Sequence, residues 1–177
     1  MNADRVKESI MHTKIEALLT KWERQAPTRE GYLAAAEQLA ACGRPPGCRP
    51  LWSRSPRMLT ATLDDGWGHG LEVIRALAEA AGIHVKTLGV LQKPEAVVAA
   101  CRREIPDLLG LTVLQFDSDD AVRHIVDHLP PTTTLVAGGA AYQYDSDFAE
   151  RTRTPFVARN GGAFLRFLLN YYPSDKL

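Results

Sequence analysis

From Met58 onward the sequence predicts an α/β domain: a flavodoxin-like, five-stranded, doubly wound parallel sheet with helices on both faces, preceded by a short N-terminal helical segment. Three observations carry that prediction. Short apolar runs alternate with segments of helical period, the connections between them are short, and the unusual glycine-rich loops all follow strands. Parallel neighbours are joined through crossovers, and right-handed crossovers favour the doubly wound arrangement.

The elements follow in order. Within residues 5–23, Val6, Ile10, Ile15, Leu18, Leu19 and Trp22 lie at helical spacing. Thr28 opens a second helical pattern through Tyr32, Leu33, Ala36, Leu39 and Ala40. Together they form a hairpin over residues 1–41. Its apolar faces need a cover, either the main domain or a second copy of the chain, so a homodimer through these helices is one expectation. Pro45, Pro46, Pro50 and Pro56 make residues 42–57 an extended connector, and Arg44, Arg49, Arg54 and Arg57 read as its solvated charges.

The main domain, residues 58–177, opens with the strand MLTATL. A helix with Leu71, Ile74, Leu77, Ala78 and Ala81 on one face comes next, then the strand IHVKTL. Pro94 begins a helix carrying Val97, Val98, Cys101 and Ile105, and DLLGLTVL is the third strand. A helix after Asp117 and Ser118 presents Val122, Ile125, Val126 and Leu129. The strand TTTLVA ends in Gly138-Gly139, and a helix is expected over about 142–151. PFVAR is the fifth, edge-like strand, and Phe164, Phe167, Leu168 and Tyr171 mark the last helix.

Bulk properties narrow the function. Lys+Arg and Asp+Glu are both 21, so the formal charge is zero, which argues against a non-specific nucleic-acid binder. No apolar run approaches the roughly 20 residues that span a bilayer, and the N-terminus has no signal-peptide core, so a cytoplasmic protein that does not enter membranes is expected. Cys42, Cys48 and Cys101 suit neither a disulfide framework nor a zinc site. His124 and His128 stand at i, i+4 spacing, where a packed or exposed helix face is the simpler reading than a metal.

Ligands of doubly wound sheets bind at the carboxyl ends of the strands. DDGWGHG follows the first strand there, TVLQF ends the third, GGAAYQ follows the fourth and RNGG the fifth. Glycines let backbone approach a ligand closely, and amides at helix starts can meet an anion. The candidate cofactor-binding set therefore comprises Asp65, Gly66, Trp67, Gly68, His69 and Gly70 in the first loop. Thr112 and Leu114 join from the third strand, Gly138 and Gly139 from the fourth, and Asn160 and Gly161 from the last loop.

Within that set, Asp65 with Gly70, Thr112-Val113-Leu114, and Gly138-Gly139 resemble the ordered motifs of cobalamin-binding domains. Those are Asp-x-His-x-x-Gly, Ser-x-Leu and Gly-Gly in the corrinoid methyl carriers, methionine synthase and the carbon-skeleton mutases. The resemblance covers about residues 58–170. It implies a cobalamin or related corrinoid cofactor whose nucleotide tail enters a slot between the first and third strands. Thr112 would supply the hydroxyl of the family's serine, and Gly138 and Gly139 would clear space for the tail. It further implies a protein that is not catalytic alone and presents the cofactor to a corrinoid-dependent methyltransferase or another protein partner.

The chain departs from the pattern at the cobalt. Trp67 stands where the family has its axial histidine, and indole N–H offers no lone pair to a metal. Asp65 thereby loses the imidazole it would orient. His69 is the weak alternative axial ligand, and it would require a re-registered loop; otherwise no protein metal ligand is expected. A second reading keeps the fold and turns the pocket to another tetrapyrrole, a small molecule or a protein, as a regulatory or binding module with Trp67 as plug. A phosphorelay receiver is disfavoured because Asp117 comes too late after the third strand. A flavodoxin is disfavoured because Asp64-Asp65 would repel a phosphate.

Overall fold

The computed structural model describes residues 9–42, 51–66 and 69–173, with His69 described by its backbone alone. Helix α1 runs Ile10–Arg24 and begins where the Ser9 hydroxyl accepts from the His12 amide at 3.0 Å. Helix α2 is Arg29–Cys42, with Thr28 Oγ1 accepting from the Gly31 amide at 3.2 Å. The expected start of the first helix at residue 5, together with Val6, lies outside the described residues.

Strands β1 (Arg57–Thr62), β2 (His84–Gly89), β3 (Leu108–Thr112) and β4 (Thr134–Gly138) form one parallel sheet in the order β2-β1-β3-β4. That order is the flavodoxin-like one. The count is not, since the described sheet has four strands where the sequence predicts five. PFVAR contributes a single bridge, Val157 beside Ala137. The Ala137 amide donates to Phe156 O at 3.0 Å and the Ala158 amide donates to Ala137 O at 2.8 Å. Pro155 has no N–H to extend the ladder on one side, and Asn160 turns the chain into a helix on the other.

Two helical layers enclose the sheet. Helix α3 (His69–Ala81) and α8 (Gly161–Leu169) lie on one face, with Val73, Leu77, Phe164, Leu165 and Leu168 buried in a shared core. The opposite face is covered by α4 (Pro94–Glu104), α5 (Asp119–His128), α6 (Ala140–Tyr144) and α7 (Phe148–Arg151). The single helix expected over 142–151 is thus two short ones. Asp145 leaves helical geometry at φ −114°, and its carboxylate accepts from the Asp147 amide and from Arg151 instead. Ile105, counted by spacing on the apolar face of α4, is instead its left-handed C-cap, at φ 45°.

The hairpin α1–α2 is covered by the main domain. Met11, Ile15, Leu19, Ala36 and Leu39 join the core that holds Leu77 and Phe164. Of the connector, residues 43–50 lie outside the described residues, with Arg44, Cys48 and Arg49 among them. The remainder is not an extended, solvated tether. Leu51 and Trp52 are buried, and Trp52 Nε1 donates to Tyr171 O at 2.8 Å. Arg54 grips the buried Asp107 carboxylate with both terminal nitrogens, at 2.8 and 3.0 Å, and the Arg57 amide donates to the same group at 2.8 Å. A buried carboxylate needs such partners, so this arginine is structural rather than a free surface charge.

Candidate functional site

Strand register builds the site. On the α3/α8 face, the in-register rows are Met58–Leu108–Thr134, then Thr60–Gly110–Val136, then Thr62–Thr112–Gly138 at the carboxyl edge. Glycine at the centre and at one corner of this sheet face lets neighbouring atoms close directly onto the backbone. A Cβ on Gly110 would overlap Met58 Cε and come within 3.3 Å of Thr60 Cγ2, and one on Gly138 would sit 2.6 Å from Ala158 O. Opposite, Gly161 at the start of α8 lies so close to Tyr32 and Leu77 that a Cβ would meet them at 2.8 and 2.9 Å.

Between these walls lies a cavity of ≈ 470 Å³, bounded by β1, β3 and β4 on one side and by α3, α8 and the start of α2 on the other. At about 3.3 Å per strand residue, the step from Thr62 down to Met58 is about 13 Å, deep enough for a nucleoside entering end-on. Its lower part is lined by Met58, Val73, Ile74, Val136 and Phe164. Thr62, Thr112, Gln143, Asn160 and Arg159 gather toward the mouth. Thr62 Oγ1 is buried without a hydrogen-bond partner, although the residue is only 1% exposed. A hydroxyl so placed carries a cost that an occupant of the slot can relieve.

The loops above the strands are tied together by Asp64. Its carboxylate accepts from the Leu114 amide and its carbonyl accepts from the Leu91 amide at 3.0 Å, while Thr62 O accepts from Gln92 N at 3.0 Å. Leu91 is held at φ 53°, a left-handed backbone, and its side chain is 64% exposed. Val90 and Phe116 are also exposed, on the loops that follow β2 and β3, and Tyr144 is exposed at the end of α6.

Most of the candidates selected from sequence converge. Gly70, Thr112, Leu114, Gly138, Gly139, Asn160 and Gly161 all line the cavity. Gly139 adopts φ 113°, and a Cβ there would overlap Val113 O, so the loop requires glycine twice over. Asn160 Oδ1 accepts from the Ala163 amide at 2.8 Å, which makes it the cap of α8 as well as part of the mouth. Gly66 packs against Leu114 with no room for a side chain, whereas Asp65 is exposed and stands outside the lining; the buried acid of the pair is Asp64. Trp67 and Gly68 lie outside the described residues, and so does the side chain of His69, whose backbone begins α3.

Sequence reasoning missed Thr60, Thr62, Gly110 and Val136, and it missed Arg29 and Tyr32 from the hairpin. The strand residues carry a period-two signal, but which parity shares a face with which glycine depends on register. Tyr32 lies at the slot wall, and burial raises its phenol above the ordinary value, partly offset by a hydrogen bond with the Gly162 backbone. Arg29 is paired with Glu72 on α3.

Other chemistry is weak. Cys101 is buried, and desolvation, with a smaller contribution from Glu104, pushes its thiol up to about 11, which leaves no thiolate at neutral pH. His124 and His128 stack ring on ring with centroids 4.3 Å apart, and no group of three metal-ligating side chains occurs among the described residues.

The model of the B12 binding domain matches residues 59–162, more than half of the chain. The chain belongs to the B12-binding domain family. No curated protein sequence matches it. Among solved structures it is similar to a novel cobalamin-binding protein from Desulfitobacterium hafniense DCB-2, with a TM-score of 0.75 and 19% identity over 96% of this chain and 84% of that one. It is also similar to the monomethylamine corrinoid protein of Methanosarcina barkeri, with a TM-score of 0.59 and 17% identity over 76% of this chain and 62% of that one. The methanol:cobalamin methyltransferase complex MtaBC of the same organism gives 0.60 and 18% over 92% and 64%. At these identities the likeness is one of fold.

The residues of this B12-binding domain fit the family's cofactor. The slot lies between the first and third strands and the helices facing them, is lined by Gly70, Gly110, Gly138 and Gly161, and holds a buried hydroxyl that lacks a partner. No helix among the described residues is long and apolar enough to cross a membrane.

Proposed function

We propose that this protein holds a corrinoid by its nucleotide tail, without a histidine below the cobalt, and presents it to a partner protein of the methyltransferase type. The open slot carries the reading: it keeps a cavity of ≈ 470 Å³ and a Thr62 hydroxyl without a partner, where a plugged pocket, as in a module turned to another ligand, would have closed the one and paired the other. When bound, the corrinoid would supply a cobalt centre able to accept and give up a methyl group. Thr62 and Thr112 would hydrogen-bond the tail, Gly138 and Gly139 would admit it, and Arg159 at the mouth would face its phosphodiester.

The corrin ring would rest on the exposed side chains of Val90, Leu91, Phe116 and Tyr144. Trp67, in the sequence position of the axial histidine, would pack against the ring or stand in the vacated ligand position, and His69 remains the weaker axial candidate. The hairpin has its apolar faces buried against the domain, so no second copy is needed to cover it. A methyltransferase partner is supported by the similarity to the methanol:cobalamin methyltransferase complex and to the monomethylamine corrinoid protein.

Titration of the protein with hydroxocobalamin and methylcobalamin, followed by visible absorbance and gel filtration, tests the reading. Retained cobalamin with a base-off spectrum is expected, and Trp67→His should shift the spectrum toward nitrogen coordination. Binding by Trp67→His alone would instead favour the plugged module, and binding by neither protein would end the corrinoid assignment.

A further inference from the structure

The slot has two chemically different ends. Its mouth offers hydroxyls, the Asn160 side chain and the first amides of α8. Its depth offers a single hydroxyl, that of Thr60, which is already bonded. The row Thr60–Gly110–Val136 forms the lower wall, and Thr60 Oγ1 already bonds Thr87 Oγ1 at 3.1 Å, while its methyl lies toward Gly110. The strands there, β1 and β3, are each flanked by neighbours on both sides, so their backbone donors and acceptors are spent in the ladder. Met58, Val73, Ile74 and Phe164 complete the enclosure with apolar atoms.

We infer that this slot selects corrinoids by the base that ends the nucleotide tail, taking a methyl-substituted benzimidazole in preference to a purine. The inference rests on the corrinoid reading above. The base ends the tail, so it is the part that meets the deep, apolar end. On that far edge a dimethylbenzimidazole carries two methyl groups, which lose nothing on leaving water. Adenine carries ring nitrogens and an exocyclic amine there, and each would be buried without a partner. Size does not separate the two bases, because both are fused bicyclic rings. The discrimination comes from polarity alone.

The test compares three ligands on the full chain by equilibrium dialysis and absorbance: hydroxocobalamin, its adenine-bearing counterpart, and cobinamide, which has no nucleotide tail. Hydroxocobalamin should bind about tenfold or more tightly than the adenine form, and cobinamide should bind less tightly than hydroxocobalamin. Gly110→Val, checked for folding by circular dichroism, should bring all three to the cobinamide level. Equal affinity for the two nucleotide-bearing corrinoids, with cobinamide weaker, would overturn the selectivity and leave the corrinoid reading standing. Three equal affinities would show that the tail does not use the slot, and a preference that survives Gly110→Val would place the selection elsewhere; either overturns the inference. If none of the three binds, the corrinoid reading fails and the inference with it.

Discussion

The same strands serve two unlike faces. On one, Leu59, Ala61, Leu109, Leu111, Leu135 and Ala137 pack with Val97, Val98, Cys101, Val122 and Ile125 into a filled apolar core. On the other, one residue away in each strand, stand Thr60, Thr62, Gly110, Thr112 and Gly138, which line the cavity. Interiors are normally close-packed, so a hollow on one parity and a filled layer on the other separates what these strands do for folding from what they do for binding. The hollow is local, since Met58, Leu108 and Val136 on the same face are buried against Leu77 and Phe164.

That division can be broken at either parity. The largest effect is expected from Gly110→Val, which pushes the mobile end of Met58 into the cavity. Corrinoid affinity should fall about 100-fold, to the level of a tail-less corrinoid, while displacing the buried Met58 should cost about 1 kcal/mol in urea unfolding. Leu109→Ala, one residue earlier and on the filled face, should do the reverse. It should cost about 3 kcal/mol in urea unfolding while the folded protein keeps its affinity. If Leu109→Ala weakens binding as much as Gly110→Val does, the two faces are not separable and the comparison collapses.

Thr62→Val sharpens the contrast within the hollow face. Removing a buried hydroxyl that has no partner should raise stability by about 1 kcal/mol and weaken corrinoid binding several-fold, an opposition of sign that a purely structural threonine would not show. The smallest effect belongs to the filled face. Cys101 is raised to about 11 by burial, so between the ordinary thiol value and 11 the unfolded chain ionises while the folded one does not, and stability falls as pH rises. Cys101→Ala should reduce that slope between pH 8 and 10, measured as the shift in urea midpoint.

Much of the fold was legible because alternation of period is a local property. The strand order, the helix start at Thr28, and the convergence of Gly70, Thr112, Gly138 and Gly161 all follow from short stretches read in sequence. What failed was non-local. PFVAR has the composition of a strand, yet one bridge is all that Pro155 and Asn160 permit. Arg54 reads as a solvated charge until Asp107, distant in sequence, is placed beneath it. Thr62 and Gly110 were invisible as site residues for the same reason, since only cross-strand register sets them opposite Thr112 and Thr60.

The contact of Tyr32 with Gly161 reaches further than local packing. The start of α2 supplies part of the slot wall through Arg29 and Tyr32, so anything seated in the slot touches the N-terminal hairpin as well as the sheet. Occupancy and hairpin docking are then thermodynamically linked, and each strengthens the other by the same factor. Amide exchange in α1 and α2 would slow when the slot is filled, and detachment of the hairpin would loosen the tail's grip. Under the corrinoid reading, residues 9–42 would thereby act as a clasp on the bound cofactor, and a partner that engaged them would release it.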